Sequence, residues 1–132
     1  MPINSDQDIV LARQKGRSLA ADAGFSAVDS TLIATAISEL ARNIVSYAKK
    51  GEIILQTLRE SRRKGILIIA SDNGPGIPDI RLALRDGFST SGSLGLGLPG
   101  VRRLVDEFQI ASAIGQGTVV KVTKWRQDQQ EE

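Results

Sequence analysis

The chain has 132 residues, 41% hydrophobic and 24% charged, with no histidine and no cysteine. That length suits one domain, residues 1–132, whose core needs no disulfide or metal staple. The missing residue types exclude zinc knuckles, iron–sulfur sites, thiol nucleophiles, Ser-His-Asp relays and phosphohistidine.

Seventeen Lys and Arg against fifteen Asp and Glu leave a net charge of +2, with the signs interspersed. This is no electrostatic footprint for nucleic acid. One Trp, one Tyr and three Phe also leave little for base stacking. Met1 to Asp8 carry neither a basic segment nor an apolar stretch, and the longest apolar run, Ile66–Ala70, is far short of the roughly 20 residues of a membrane helix. A soluble, cytoplasmic protein without nucleic-acid or membrane partners is expected. Its chemistry has to run on carboxylates, amides, hydroxyls, cations, backbone N–H groups or a borrowed metal.

In chain order, Asp6–Ala23 is predicted helical, with Ile9, Ala12, Leu19 and Ala23 on one side and Gly24 as its stop. Ser30 can cap a second helix to about Lys50, ended by Gly51. Along it Ile33, Ala36, Ile37, Leu40, Ala41, Ile44, Tyr47 and Ala48 keep the 3.6-residue period. Glu52–Leu58 and Ile66–Ser71 then read as a hairpin around the polar Glu60–Lys64 turn.

More than half of the glycines are gathered between Asp72 and Gly100. A short helix is expected over Asp79–Arg85, after Pro78. Pro99 suits the first turn of another through Phe108, with Val101, Leu104, Val105 and Phe108 facing inward. Gln109–Ala113 and Thr118–Trp125 make a second hairpin around Gly115-Gln116-Gly117, and residues 126–132 read as a frayed tail. Hairpins with helices between them predict an α+β two-layer sandwich, helices on one face of a mainly antiparallel, mixed sheet.

Three motifs carry possible chemistry. Glu39 and Asn43 lie four apart on the second helix, one turn from each other at the edge of its apolar arc. A carboxamide oxygen there can ligate a hard cation such as Mg²⁺, and a carboxylate can accept a proton or orient a hydroxyl. A solvated pair with no task fits the spacing as well. Second, Ser71-Asp72-Asn73-Gly74-Pro75-Gly76-Ile77-Pro78 follows a strongly apolar strand. Its glycines and prolines suit a rigid irregular loop that a flat ligand can approach, and an aspartate at the strand end can accept from an exocyclic amine. A plain turn remains the alternative.

Third, Gly92-Ser-Leu-Gly95-Leu-Gly97-Leu-Pro-Gly100 opens a helix. It contains Gly-x-Gly-x-x-Gly, but no strand precedes it and no acid stands about 20 residues on, so the dinucleotide reading fails. A P-loop fails for want of Gly-Lys-Ser/Thr, and the eukaryotic-type kinase loop lacks its partner motifs. What survives is a mobile glycine-rich lid offering backbone N–H groups to phosphate, or else a surface loop.

Together and in order, these motifs resemble the GHKL ATPase superfamily of gyrase, Hsp90, histidine kinases and MutL. Glu39-x-x-x-Asn43 resembles its N box, Asp72-x-Gly74-x-Gly76 its G1 box, Gly95-Leu-Gly97 its G2 box, and Gly117-Thr118 its Gly-Thr pair. Ala36-Ile-Ser-Glu39-Leu-Ala-Arg-Asn43 and Asp86-Gly-Phe-Ser-Thr-Ser-Gly92, followed by Gly97-Leu-Pro-Gly100, are similar to the serine/threonine switch kinases of bacterial stressosomes, relatives of the anti-sigma-factor kinases. The resemblance implies an ATP·Mg²⁺-dependent kinase that phosphorylates Ser or Thr of STAS-domain scaffold proteins and activates a PP2C-type phosphatase once released.

It also implies residue roles. Glu39 would orient or deprotonate the acceptor hydroxyl, and Asn43 would hold Mg²⁺. Asp72 would accept from the adenine amino group, with Thr118 behind it and Gly74 and Gly76 beside the base and ribose. Gly95, Gly97 and Leu98 would offer amides to phosphate as a lid spanning Phe88–Gly95 closes, and Ile77, Ser89, Thr90 and Leu96 would complete the nucleotide contacts. No basic residue directly follows Asn43, so Arg42, Lys49, Arg81 or Arg85 would have to meet phosphate.

Three other readings stay open: an anti-sigma-factor kinase that sequesters a sigma factor and phosphorylates a STAS antagonist; a nucleotide-set binding module with little catalysis; and a histidine-kinase catalytic domain. The last would need its acceptor histidine on another chain.

Overall fold

Period-2 patterning over the strand runs and a 3.6-residue period over the helices set one apolar face on each element, and packing those faces together gives two layers. The computed structural model describes residues 1–77, 79–85 and 97–126. The elements are β1 (Pro2–Ile3), α1 (Asp6–Asp22), α2 (Ala27–Asn43), a π-helical turn (Ile44–Ala48), β2 (Gly51–Glu60), β3 (Arg63–Asp72), α3 (Ile80–Ala83), α4 (Gly97–Leu104), β4 (Glu107–Ala113) and β5 (Gly117–Trp125). The fold is the expected α+β sandwich. Its five described strands run in the order β1-β2-β3-β5-β4, and every described pairing is antiparallel, where a mixed sheet was expected.

The core lies between sheet and helices. Ile53 of β2, Ile66, Ile68 and Ala70 of β3, and Val120 and Val122 of β5 turn one face toward Ile33, Ala36, Ile37 and Leu40 of α2. β3 is the middle strand, paired with β2 along its length and with β5 from Gly65 to Asp72. α1 and α4 flank α2, which explains why α2 is buried over most of its circumference.

Several boundaries differ from the sequence reading, each for a local reason. Helix α2 begins at Ala27, not at Ser30, because Ser26 is extended and its hydroxyl accepts from the Asp29 N–H at 3.0 Å. The Ser30 N–H is already bonded to the Ser26 carbonyl at 2.8 Å, which places Ser30 inside the helix. The α-helix does not run to Lys50; it ends at Asn43 and continues as a π turn closed by Lys49 at φ +75°.

The β2–β3 turn is tighter than expected, since Glu60 pairs with Arg63 across Ser61-Arg62. Helix α4 starts at Gly97 and stops at Leu104, and Phe108 belongs to β4. There the Asp106 N–H bonds the Thr123 carbonyl at 2.9 Å and the Asp106 carboxylate accepts the Trp125 N–H at 2.6 Å, drawing the chain into the sheet. β1 was not foreseen: it is two residues long and held by reciprocal Met1–Ile53 bonds of 2.8 and 2.9 Å. Of residues 126–132, read as a frayed tail, Arg126 is held, its N–H bonded to the Lys64 carbonyl at 2.8 Å and its guanidinium to the Ala23 carbonyl at 3.2 Å; residues 127–132 lie outside the described part.

At the far end of the sheet, Trp125 closes the fold. Its indole N–H donates to Glu107 at 2.8 Å, and the Arg63 guanidinium stands 3.8 Å from the ring centroid. For the core, Ile68 is fully buried between Leu55 and Val122 in register. Ile68→Ala is expected to cost about 2–5 kcal/mol, read as a lower urea midpoint at unchanged slope. A cost under about 1 kcal/mol would place Ile68 outside the core.

Candidate functional site

The sequence motifs converge on one end of the sandwich, where α2, the loop after β3, the start of α4 and the β4–β5 hairpin meet. Helix α2 delivers Glu39 and Asn43. Glu39 is buried, 7% exposed, because α4 packs over that edge of the helix. Its Oε2 accepts from Arg42 Nη1 at 2.7 Å and its Oε1 from the Gly97 N–H at 3.2 Å. A carboxylate at the first amide of α4 also complements the partial positive charge of that helix end. Arg42, a candidate for meeting phosphate, is thus tied to Glu39; Lys49, Arg81 and Arg85 are exposed.

Asn43 is the last residue of α2, half-buried, immediately before the π turn. The extra residue in such a turn shifts the side chains that follow, and π turns often occur beside functional sites. Here it sets Ala48 against Gly74: a Cβ on Gly74 would lie 2.6 Å from the Ala48 Cβ. It also sets Ile44 beside Gly51 and Asp72. Asn43 therefore stands between the Glu39–Gly97 contact and the Asp72 loop.

Asp72 ends β3, and its Oδ1 accepts the Gly74 N–H at 2.8 Å, a turn that fixes the carboxylate by its own backbone. The loop then docks on the β4–β5 hairpin. The Gly115 N–H donates to the Pro75 carbonyl at 2.8 Å, and the Ile77 N–H to Ser112 Oγ at 2.7 Å. Gly76, at φ +81°, passes so close to the Ala113 carbonyl that any side chain would collide with it. Gly117, at φ +88°, lies equally close to the Asp72 carbonyl. Thr118 follows, opposite Asp72 on one side and Ser112 on the other.

Of the residues singled out in the sequence, Glu39 and Gly97 are in direct contact. Asp72, Gly74, Gly76, Ile77 and Thr118 gather where the loop after β3 docks on the β4–β5 hairpin, Asn43 precedes the π turn that packs on Gly74 of that loop, and Leu98 is buried in α4. Ser89, Thr90, Gly95 and Leu96, with the Phe88–Gly95 lid, lie outside the described residues. Sequence reasoning missed Ser112. The available signal was a hydroxyl at an inward register of β4, in series with Phe108 and Ile110. It also missed the π turn, for which the unbroken helical period gave no sign.

Among the described residues, no three acidic side chains cluster as a metal site, and no helix is long and apolar enough to cross a membrane.

Comparison with known proteins agrees with this arrangement. Residues 28–128 match the family model described as histidine kinase-, DNA gyrase B- and HSP90-like ATPase. The chain is 56% identical over 123 residues, 93% of its length and 92% of the relative's, to the serine/threonine-protein kinase RsbT of Bacillus subtilis. It is 32% identical over 97 residues to an anti-sigma F factor of Caldanaerobacter subterraneus subsp. tengcongensis, covering 70% of this chain and 68% of the relative. An anti-sigma F factor of Thermoanaerobacter sp. is 33% identical over 98 residues, with the same coverage. Among solved structures, the mycobacterial sensor histidine kinase MprB shares the fold at TM-score 0.59 and 18% identity, covering 96% of this chain and 97% of that one. The enzyme class read from the sequence, a serine/threonine protein kinase using ATP, agrees with these relatives.

The docking of the loop on the hairpin is open to test. Gly76→Ala puts a side chain at positive φ against the Ala113 carbonyl and is expected to cost about 1–3 kcal/mol. Amide exchange at Gly115, whose N–H bonds Pro75, is expected to speed up with it. Unchanged protection at Gly115 would show that the loop is held elsewhere.

Proposed function

The chain belongs to the histidine kinase-, DNA gyrase B- and HSP90-like ATPase family, and on that premise we propose that it transfers the γ-phosphate of ATP to a serine or threonine of STAS-domain scaffold proteins. In this reading residues 1–132 form one cytoplasmic kinase domain of a partner-switching module. Released from its scaffold, it activates a PP2C-type phosphatase. The observation that carries the reading is the buried Glu39 carboxylate, bonded to the first amide of α4 one helical turn from Asn43, with Asp72 at the end of β3 beside the loop that meets the π turn.

Asp72 accepts from the adenine amino group, and the glycine loop leaves room for base and ribose. The Leu98 amide meets a phosphate oxygen at the start of α4, the Gly97 N–H expected to do the same being held by Glu39. The donor set fits a metal carried in on the nucleotide: Asn43 offers one carboxamide oxygen, and no described acidic cluster competes for the ion. When bound, Mg²⁺ neutralises charge on the phosphates.

Glu39 takes the proton of the incoming hydroxyl as its oxygen bonds the γ-phosphorus and the bond to the β-phosphate oxygen breaks, releasing ADP. Phosphoryl transfer has a loose transition state, so the position of Glu39 matters more than its basicity. Arg42 and the Gly97 N–H fix that position and leave lone pairs on the carboxylate for the acceptor.

Transfer of labelled γ-phosphate to a purified STAS-domain protein tests the reading. Glu39→Gln is expected to lower transfer about 10²–10⁴-fold with nucleotide binding kept. Asn43→Ala is expected to bring transfer to background, and transfer surviving in that variant removes the Mg²⁺ role. Asp72→Asn is expected to weaken ATP binding by about tenfold or more, some 1.4 kcal/mol. Capture of a sigma factor in place of a scaffold or phosphatase would move the protein to the anti-sigma-factor kinases, a reading that the anti-sigma F relatives keep in view.

A further inference from the structure

The Ser112 hydroxyl makes three contacts at the wall that carries Asp72. It accepts the Ile77 N–H at 2.7 Å, bonds the Gly117 carbonyl at 3.0 Å, and lies 2.8 Å from Thr118 Oγ1, where either atom could donate. A serine hydroxyl has one proton, and a carbonyl has none to give. The Ser112 proton therefore goes to Gly117, and the bond between the two hydroxyls takes its proton from Thr118. Thr118 is left with lone pairs only.

Thr118 stands directly across the ladder from Asp72. Side chains in that relation share a face of the sheet, with Cβ atoms about 4.5–5.5 Å apart. The Asp72 carboxylate is itself an acceptor, and its Oδ1 already takes the Gly74 N–H. The wall thus presents two acceptors side by side and no side-chain donor from either residue.

We infer that Ser112 is a positioning residue: it holds Thr118 as a pure acceptor beside Asp72, and so sharpens the preference of the proposed adenine site for a purine with an amino group at position 6 over one with an oxo group there. The inference rests on the reading of this cleft as the ATP site. A 6-amino group brings two N–H donors to two acceptors. A 6-oxo group brings lone pairs against lone pairs, and buried polar groups without partners discriminate strongly between such ligands. Without the Ser112 hydroxyl, Thr118 is free to rotate its proton toward the ligand, and the wall can accept either group.

The test is the ratio of dissociation constants for ATP and ITP, in which an oxo group replaces the amino group at position 6 and N1 gains a hydrogen. The unaltered protein is expected to prefer ATP by about a hundredfold or more. Ser112→Ala is expected to shrink that ratio by about tenfold, and Ser112→Thr, which keeps the hydroxyl, to restore it. Because Ser112 acts through Thr118, Ser112→Ala/Thr118→Val is expected to show the same ratio as Thr118→Val alone.

A merely structural Ser112 would weaken both nucleotides equally, and a Ser112→Ala ratio within about twofold of the original overturns the inference. Equal affinity of the unaltered protein for ATP and ITP overturns it too, whatever the variants do. If Asp72→Asn leaves ATP affinity untouched, the site reading fails. If Asp72→Asn weakens ATP and only the ratio test fails, the site stands and the role of Ser112 falls.

Discussion

The register of β3 against β5 decides the geometry of the cleft. Ile68 faces Val122 and Ala70 faces Val120 on the core side, so the next inward pair is Asp72 and Thr118. A slip of one residue would turn the whole apolar row outward, and burial of those residues forbids it. The hydrophobic effect acting on Ile66, Ile68 and Ala70 thereby fixes where a carboxylate and a hydroxyl meet. The polar pair lies at the end of the same row as the core, just past the point where the strands leave the helices.

The second wall depends on α2. That helix is apolar enough to sit between sheet, α1 and α4, and its rigidity carries Glu39 into a buried position beside Gly97. A carboxylate there would be costly if unpaired; Arg42 and the Gly97 amide supply its partners. The π turn after Asn43 then brings α2 to the loop around Gly74. The walls are joined through backbone contacts of the glycine loop, which explains why glycines at 74, 76 and 117 stand where main chain or Ala48 comes close.

Much of this was legible in the sequence, because it rests on periodicity and punctuation. The amphipathic run of α2, the two hairpins, the strand before Asp72 and the spacing of Glu39 to Asn43 fixed the architecture and most of the candidate residues. What was illegible depends on contacts between segments. Ser26 and Ser30 are both plausible caps, and only the bond from Asp29 decides between them. The early end of α4 depends on Asp106 and Glu107 meeting Trp125, nearly twenty residues on. Ser112 looks like any strand serine until its bonds to Ile77, Gly117 and Thr118 are seen. The two-residue β1 has no period to detect.

The anchoring of Ile77 and Gly97 bears on how this protein can vary. Ile77 is tied to the hairpin through Ser112, and Gly97 to α2 through Glu39, so the chain between them begins and ends at fixed posts. Helix α3 lies between the posts, with Ala83 and Leu84 packed on the core, so the segment leaves the first post as part of the sandwich. A shift of one residue at Ile77 would pass through Ser112 into β4, and one at Gly97 through Glu39 into α2.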